Sequence, residues 1–446
     1  MLCGLYETDI TPPLETMLPG HFAMRPAEGV RDRLCARALA CSNDKGDAFI
    51  LVALDAIQVD SVMSARARAR IEKLTGVPGE RVMVSATHTH TGGPVCFSDG
   101  EGFDLNYINW TADRAADAAV MAWNRRVPAK LGYGSAQEET LAFNRRYFMK
   151  DGRLKTNPGF GRTDIDRPAG PMDPQVGVLK IEAMDGRLIG VITNFACHLD
   201  TVKGNLFCID YPGELHRVLK SVYGEDVVSI FLTGPCGNIN HCDFLHRPEA
   251  YYSDPKSPHY IRMGRILAGD VLRTLALTET EETEVIAVEN ASFPALIRTP
   301  DEESVEKARA LLAELPYKPV ISRSSGLTGD TYRLNERSMA ASLLSVHEDP
   351  EKNVIVPVQT ARLGNTAIVG APCELFVEFG LDIKARSCFE NTMISTLTNA
   401  HFGYIATHEA HALGGYESQI CGSTKMTSQT GYDMVDTALA LLDKMK

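Results

Sequence analysis

Short apolar runs alternate along the chain with longer segments in which apolar residues recur every three to four positions. Residues 48–57 (AFILVALDAI), 81–86 and 227–233 have the pattern of buried strands, whereas residues 62–74, 106–127, 211–223 and the C-terminal segment around 435–442 have that of helices. Paired apolar runs within 176–196 and 353–369 predict two hairpins, turning at 184–186 and at 364–365. With no internal repeat and no linker rich in Gly, Pro or Ser, we expect one large mixed α/β domain over residues 1–446.

The composition excludes several classes of partner. The 446 residues are 44% hydrophobic, which is enough to build a large core and excludes a disordered chain. Lys and Arg number 45 against 57 Asp and Glu, a net charge of −12, and no basic block occurs. Because duplex DNA and anionic membranes attract basic proteins, we expect neither as a partner. A small-molecule substrate remains, and the sequence leaves monomer and homo-oligomer equally open.

The N-terminus and the cysteines predict a cytoplasmic location. The opening MLCGLYETDITPP lacks the basic start and apolar run of a secretory signal. No stretch approaches the roughly 18 uninterrupted apolar residues of a transmembrane helix. The 11 cysteines are scattered, and none forms a CxxC pair. This distribution favours reduced thiols over a disulfide framework or a thiolate zinc site.

The strongest local motif is the segment 85–94, SATHTHTGGP, directly after a predicted strand. His88 and His90 are spaced i, i+2, so both would face one side if the strand continued through them. Neutral imidazole is a common zinc ligand, which makes a metal or catalytic site one interpretation. The alternative is a pair of polar residues on a turn.

Weaker motifs follow other predicted strands. His198 ends an apolar strand, with Asp200 two residues on, and is also compatible with a structural histidine. An Asn-rich turn at 233–241 ends in His241 and suits either a ligand-facing loop or a plain turn. Glu374 follows Gly-Ala-Pro-Cys at the start of a predicted helix, where a carboxylate also serves as a cap.

Several common catalytic motifs are absent from the sequence. His408-Glu409-Ala410-His411 is one residue too short for the HExxH zinc helix. The two histidines either line a pocket or cap a helix, and capping is favoured. No Walker A loop, GxGxxG turn or GxSxG nucleophile elbow is present. Phosphoryl transfer, dinucleotide chemistry and the common serine hydrolase mechanism are therefore disfavoured.

Read in order, these segments resemble the catalytic domain of the neutral/alkaline non-lysosomal ceramidase family. The similarity begins at residues 8–13 (TDITPP) and continues through 33–38 (RLCARA), the THTH segment, 143–145 (FNR), 194–198 and 372–374 (PCE). It ends with Tyr404 and Tyr416, which have the family's spacing. The THTH segment and this tyrosine pair are the most specific features. The resemblance covers essentially the whole chain, without the family's C-terminal immunoglobulin-like domain.

The resemblance implies a zinc-dependent amide hydrolase of mixed α/β fold. The implied zinc ligands are His88, His198, Glu374 and Tyr404. By the same resemblance, His90 would accept a proton from the attacking water, Tyr416 would donate a hydrogen bond to the developing oxyanion, and Arg145 would bind a polar or anionic part of the substrate. Zinc with imidazole and oxygen ligands lowers the pKa of a bound water towards roughly 7, so the implied chemistry is consistent with these residue types.

One departure from the family bears on the substrate. Asn240 and His241 stand where the family carries Ser-Pro, and we expect both to contact the substrate. Together with the absence of an export signal, this change predicts a small polar substrate with a non-peptide C–N bond rather than long-chain ceramide. A zinc-dependent lactone or sugar-ester hydrolase is the alternative, and a non-enzymatic binding protein is a third.

Overall fold

A computed structural model describes residues 1–96 and 104–446 as ten α-helices and a set of strands that form two main sheets. The strands of the main sheets are β1 (Leu2–Asp9), β2 (Cys35–Ser42), β3 (Ala48–Leu54), β4 (Val82–Ala86), β5 (Val127–Gln137), β6 (Gln175–Ala183), β7 (Leu188–Phe195), β8 (Val228–Thr233), β9 (Ile286–Leu296), β10 (Asn353–Leu363), β11 (Thr366–Gly370) and β12 (Asn391–Ser395). The helices are α1 (Ser61–Thr75), α2 (Leu105–Asn124), α3 (Tyr211–Tyr223), α4 (Ala250–Ser253), α5 (His259–Leu277), α6 (Glu302–Glu314), α7 (Leu334–Glu348), α8 (Val377–Arg386), α9 (His408–Leu413) and α10 (Gln429–Lys444).

Short strands and two 3₁₀ turns complete the secondary structure. The short strands are Met17–Leu18, Arg25–Pro26, Gly29–Val30, Phe143–Asn144, Arg146–Met149, Leu154–Thr156, Ile165–Pro168, Leu206–Phe207, Ile239–Asn240, Ile321–Arg323, Gly326–Thr328, Glu374–Leu375 and Tyr404–Ile405. The 3₁₀ turns are Gly79–Arg81 and Tyr416–Ser418.

The eight-stranded sheet has the order β8-β7-β6-β5-β1-β2-β3-β4 and the four-stranded sheet the order β9-β10-β11-β12. Neighbouring strands are antiparallel except β7–β8, β3–β4 and β11–β12, which are parallel. The joint between β1 and β5 consists of only two residue pairs, Leu2 with Pro128 and Cys3 with Val127. The larger sheet therefore divides into two halves, β1–β4 and β5–β8.

The two sheets pack face to face, and helices cover their outer faces. Within β3, Phe49 and Leu51 point into a cluster shared by both halves of the larger sheet and by the four-stranded sheet. Their neighbours Ile50 and Val52 pack instead on α1 and α2. Further clusters place α3 and α5 on the β5–β8 half, and α8 and α10 on the smaller sheet. Because β3 is buried on both faces, its sequence is a continuous apolar run.

The structure confirms the predicted mixed α/β class and most of the predicted elements. Both hairpins are present, as β6–β7 and β10–β11. The prediction of a helix opening at 370–374 is wrong, since Glu374 lies in a short strand and α8 begins at Val377. The backbone N–H of Glu374 donates to Gly403 O and that of Phe376 donates to Ile405 O, so pairing with a distant segment overrides the local helical pattern.

Two strand ends meet where the predicted histidines lie. His88 follows β4 and His198 follows β7, and an isolated bridge pairs Thr89 with Leu199. The hydroxyl of Thr233, at the end of β8, donates to Thr87 O at 2.6 Å. In the described part of the chain, we find no helix with the length and apolar character required to cross a bilayer.

Candidate active site and metal centre

A cavity of about 410 Å³ opens above these strand ends. The side chains that line it and matter below are His88, His90, Glu374, His401, Tyr404 and Tyr416. They come from four separate stretches of the chain, so the fold gathers most of the predicted site residues at one place.

The THTH segment forms a turn rather than a continued strand. β4 ends at Ala86, and the backbone of His88 has a φ of 72°. This lies in the left-handed region, which residues other than glycine rarely adopt. Even so, the Nε2 atoms of His88 and His90 lie 3.4 Å apart. The two imidazoles thus converge as predicted, although the turn and not the alternation of a strand brings them together.

Backbone carbonyls hold the far side of each converging imidazole. His88 Nδ1 lies 2.7 Å from Ile57 O, and His198 Nδ1 lies 2.7 Å from Cys236 O. His90 Nδ1 lies 3.3 Å from Gly20 O. A carbonyl only accepts, so each Nδ1 carries a proton, and in the neutral ring each Nε2 presents a lone pair to the centre of the cluster.

Glu374 brings a carboxylate oxygen into the same space. Its Oε2 lies 3.3 Å from Nε2 of both His88 and His198, and this buried oxygen has no hydrogen-bond partner. Burial opposes a charge on His88, but the carboxylate of Glu374 outweighs it and raises the pKa of His88, so positive charge is favoured at this point. Arg145 adds an N–H that lies 3.3 Å from His198 Nε2. Burying such a set is costly unless a cation sits among the atoms. The donor set therefore fits a divalent metal ion, and nitrogen with oxygen ligands suits zinc.

The described part of the chain contains one group of three residues of metal-ligating type with ligand atoms within 4.8 Å of one another: His88, His90 and His198. This group includes His90, which the sequence predicted as a base, and leaves out Glu374. Since the carboxylate of Glu374 lies in contact with two of the three imidazoles, we count it with the group. The geometry thus allows His90 to act either as a metal ligand or as a base.

Burial and mutual charge set the protonation of the cluster. Burial opposes the charge on Glu374, but the positive charge of a protonated His88 and hydrogen bonds from His198, His401 and His88 outweigh it and hold the pKa of this carboxyl well below its usual range. Burial and the neighbouring His88 hold the pKa of His90 well below its ordinary value. Glu374 is therefore anionic and His90 neutral at pH 7, the forms in which each can bind a metal or accept a proton.

The two predicted tyrosines lie beside this cluster. Tyr404 sits directly opposite Glu374 in the short parallel pairing of their strands, and its ring centroid is 5.7 Å from that of Tyr416. Tyr416 is 43% exposed and lines the cavity. Burial raises the pKa of Tyr416 to about 12, so its phenol keeps the proton that a hydrogen bond to an oxyanion requires.

Arg145 is buried behind the cluster and does not line the cavity. Its Nε donates to Glu417 Oε1 at 2.8 Å and its Nη2 to Gly237 O at 2.8 Å, while its Nη1 lies 3.3 Å from His198 Nε2. This position does not agree with direct binding of substrate, because the guanidinium points at protein groups. In this structure Arg145 braces other site residues, and its contact with substrate stays a prediction.

Asn240 and His241 also lie outside the cavity lining. The amide of Asn240 donates to Asn157 Oδ1 at 2.6 Å and accepts from the backbone N–H of Cys242 at 2.9 Å. His241 Nδ1 lies 3.2 Å from Asp200 Oδ1, and both side chains are engaged with protein groups. The predicted substrate contacts of Asn240 and His241 are thus not part of this geometry.

Two histidines of the cavity were not singled out from the sequence. His401 Nε2 lies 3.6 Å from Glu374 Oε1, the second oxygen of the same carboxylate. The His21 ring makes an edge contact with His90 at a centroid distance of 6.4 Å. His401 comes three residues before Tyr404, a proximity that could have drawn attention to it. The loop position of His21 gives no comparable signal.

His408 has a structural role, although Thr407 and not His408 caps α9. It stacks on Tyr432 with ring centroids 4.4 Å apart, and its Nδ1 lies 2.7 Å from Ser428 Oγ. Neither His408 nor His411 lines the cavity. This position, away from the cavity, agrees with the sequence-based expectation that residues 408–411 do not form a zinc-binding helix.

Comparison with known proteins confirms the resemblance predicted from the sequence. Residues 1–209 match the family model for neutral/alkaline non-lysosomal ceramidase, N-terminal. The chain is 24% identical to the neutral ceramidase of Pseudomonas aeruginosa, over 99% of this chain and 72% of that protein. The crystal structure of neutral ceramidase from that organism superposes with a TM-score of 0.74 at 21% identity, covering 99% of this chain and 74% of the other. A ceramidase complexed with C2 gives a TM-score of 0.73 at 20% identity, covering 99% and 75%. The fold is that of the neutral ceramidases.

Proposed function

We propose that this chain, which has the neutral ceramidase fold, is a metal-dependent hydrolase that cleaves the amide bond of an N-acyl compound. The observation that carries the proposal is the buried oxygen Glu374 Oε2, which lacks a hydrogen-bond partner and faces two imidazole lone pairs at 3.3 Å. A divalent cation bound among these atoms would satisfy that arrangement. The match of residues 1–209 to the family model supports the choice of hydrolysis over mere binding.

We propose zinc as the ion, held by His88, His198, Glu374 and Tyr404. The first three already converge, and Tyr404 lies opposite Glu374 in the strand pairing. When bound, a divalent zinc ion supplies Lewis acidity and lowers the pKa of a water molecule towards roughly 7. The backbone carbonyls at each Nδ1 orient His88 and His198 and fix their tautomers for this task.

In the reaction, His90 accepts the proton of the attacking water at Nε2. Its Nδ1–H is engaged by Gly20 O, so the only free lone pair points at the cluster. The phenol of Tyr416 donates a hydrogen bond to the oxygen that gains negative charge as the carbonyl is attacked. A donor placed in this way is worth roughly 3 kcal/mol of transition-state stabilisation in known oxyanion sites.

The relatives give the first compound to test. The proteins similar to this chain are ceramidases by name, which favours an N-acyl amide over a lactone or sugar ester. They also indicate ceramide as the substrate, against the small polar substrate that the sequence led us to expect. The substitution at Asn240, on which that expectation depended, involves an amide that is held by protein groups and not presented to the cavity. We therefore place ceramide first and keep small polar amides as the comparison.

The test is a substrate panel assayed with metal-free and zinc-loaded protein. It contains a long-chain ceramide, a short-chain ceramide, small N-acyl amines and lactones. We expect zinc-dependent release of a carboxylic acid from at least one N-acyl amide, and loss of both zinc and turnover in Glu374→Gln. His246→Ala is the matched control, because that side chain is 78% exposed and outside the cavity. Zinc-loaded protein that cleaves only lactones, or no compound of the panel, would overturn the proposal.

A further inference from the structure

Glu417 is a fully buried carboxylate directly after Tyr416, and its side chain has an exposed fraction of 0%. A buried carboxylate is costly unless its charge is paired and its oxygens are hydrogen-bonded. Glu417 meets both conditions through three donors from one neighbouring segment. Arg145 Nε donates to Oε1 at 2.8 Å, and Arg146 Nη1 and Thr156 Oγ1 each donate to Oε2 at 2.8 Å.

The two arginines extend from Glu417 in different directions. Arg145 reaches the metal centre, where its Nη1 lies 3.3 Å from His198 Nε2 and its guanidinium lies 5.3 Å from the ring centroid of Tyr404. Arg146 reaches the segment before Tyr416, where its Nη2 donates to Gly414 O at 2.7 Å. One carboxylate therefore links the proposed ligands to the peptide that carries the proposed oxyanion donor.

We propose that Glu417 is a positioning residue of the hydrolytic site, an inference that rests on the proposed function. Its carboxylate fixes Arg145 beside His198 and Tyr404, and fixes Tyr416 both through the adjoining peptide and through Arg146. Neither Glu417 nor Arg145 lines the cavity, so both act through other residues and not on the substrate.

The charges show why the position of Arg145 matters for the metal. Two buried guanidinium groups share one carboxylate, and one of them, Arg145, also interacts electrostatically with Glu374, the anion of the proposed metal centre. Without Glu417, the guanidinium of Arg145 loses its ion pair and is drawn towards Glu374. A cation there competes with the metal for the same oxygen. Glu417 thus keeps the carboxylate of Glu374 available.

The experiment compares Glu417→Gln with the wild-type chain in zinc affinity, kcat, KM and thermal unfolding. The matched control is Asp173→Asn, which breaks the ion pair of another buried carboxylate, Asp173 Oδ2 to Lys384 Nζ at 2.6 Å, outside the cavity. We expect both variants to be less stable, but only Glu417→Gln to bind zinc at least tenfold more weakly and to lose at least tenfold in kcat with KM within threefold. Glu417→Asp, which keeps the charge, should recover part of the zinc affinity.

Unchanged zinc affinity in folded Glu417→Gln, or an equal loss in Asp173→Asn, would show that Glu417 is merely structural. If Glu417→Gln does not fold, Arg145→Lys serves as the second variant. Lysine keeps the charge but lacks the planar fork that spans Glu417 and Gly237, so zinc affinity should again fall. Unchanged affinity there overturns the inference as well. Zinc affinity of the wild type without amide hydrolysis would instead refute the proposed function, and the affinity comparison would still test Glu417.

Discussion

At the scale of single residues, His90 is the side chain for which two roles compete. Its Nε2 converges with the ligands at 3.4 Å from His88 Nε2, and its pKa is held well below the ordinary value by burial and by His88. We expect His90→Ala to keep about one zinc per chain and to lose about 10²- to 10⁴-fold in kcat, the usual contribution of a general base. Elemental analysis and steady-state kinetics on the same preparation measure both. Loss of zinc along with turnover would make His90 a ligand instead.

Tyr416 makes a second residue-scale prediction. Its phenol faces the cavity, and burial raises its pKa to about 12. We expect Tyr416→Phe to lower kcat by about 10²-fold with little change in KM, since an oxyanion donor acts chiefly in the transition state. Because a pKa of about 12 leaves the phenol almost fully protonated through pH 10, no loss of wild-type activity between pH 8 and 10 should come from this group. Tyr332→Phe, at a 63% exposed tyrosine outside the cavity, is the control. Equal activity of both variants would remove Tyr416 from the mechanism.

At the scale of elements, the short parallel pairing of Glu374–Leu375 with Tyr404–Ile405 places two of the proposed ligands, Glu374 and Tyr404, opposite each other. Gly403 precedes Tyr404 with a φ of 61°, and a Cβ there would lie 2.6 Å from Thr424 Oγ1 and 2.7 Å from the backbone carbon of Ser423. A side chain is therefore opposed both by the backbone conformation and by backbone atoms that cannot move aside.

We expect Gly403→Ala to destabilise the fold by about 1–3 kcal/mol and to weaken zinc binding, since it displaces the strand of Tyr404. Gly152→Ala is a matched control, because Gly152 also has a left-handed φ, 82°, but a Cβ there would meet nothing within 4 Å. Chemical denaturation and zinc titration of the two variants separate conformational strain from disruption of the site. Equal zinc affinity in both would show that the pairing does not position the ligands.

At the scale of the whole molecule, the proposed ligands lie far apart in sequence, between residues 88 and 404, so the unfolded chain presents no preformed site. An ion that binds only the folded state stabilises it by RT ln(1 + [L]/Kd), about 2.7 kcal/mol at 100 times Kd. We expect zinc to raise the thermal midpoint of chelator-treated wild-type protein and to leave that of Glu374→Gln almost unchanged. Scanning calorimetry with and without zinc measures this. An unaltered midpoint for the wild type would contradict a metal site built by folding.

The sequence predicted the parts of this structure that depend on local patterns. Strands buried on both faces, such as β3, appear as continuous apolar runs, and the hairpin turns carry Gly-containing signals. His88 and His198 were identifiable because each follows such a run. What the sequence could not predict depends on contacts between distant segments. Glu374 adopts a strand because Gly403 and Ile405 accept its segment's hydrogen bonds, and Arg145 turns away from the cavity because Glu417 holds it. A cytoplasmic location, the oligomeric state and the extent of the domain stay predictions.

The narrow joint between β1 and β5 has a consequence for the site. It connects the two halves of the larger sheet, β1–β4 and β5–β8, through two residue pairs. His88 follows the last strand of the first half, and His198 follows β7 in the second half. The two halves are in close contact elsewhere. Gly190 of β7 packs against Leu5 of β1 so closely that a Cβ on Gly190 would lie 2.3 Å from the Leu5 side chain. An ion bound by both imidazoles would therefore cross-link the two halves of the sheet, next to the Thr89–Leu199 bridge and the hydrogen bond from Thr233 to Thr87 O. Such an ion would contribute to the rigidity of the sheet as well as to the chemistry.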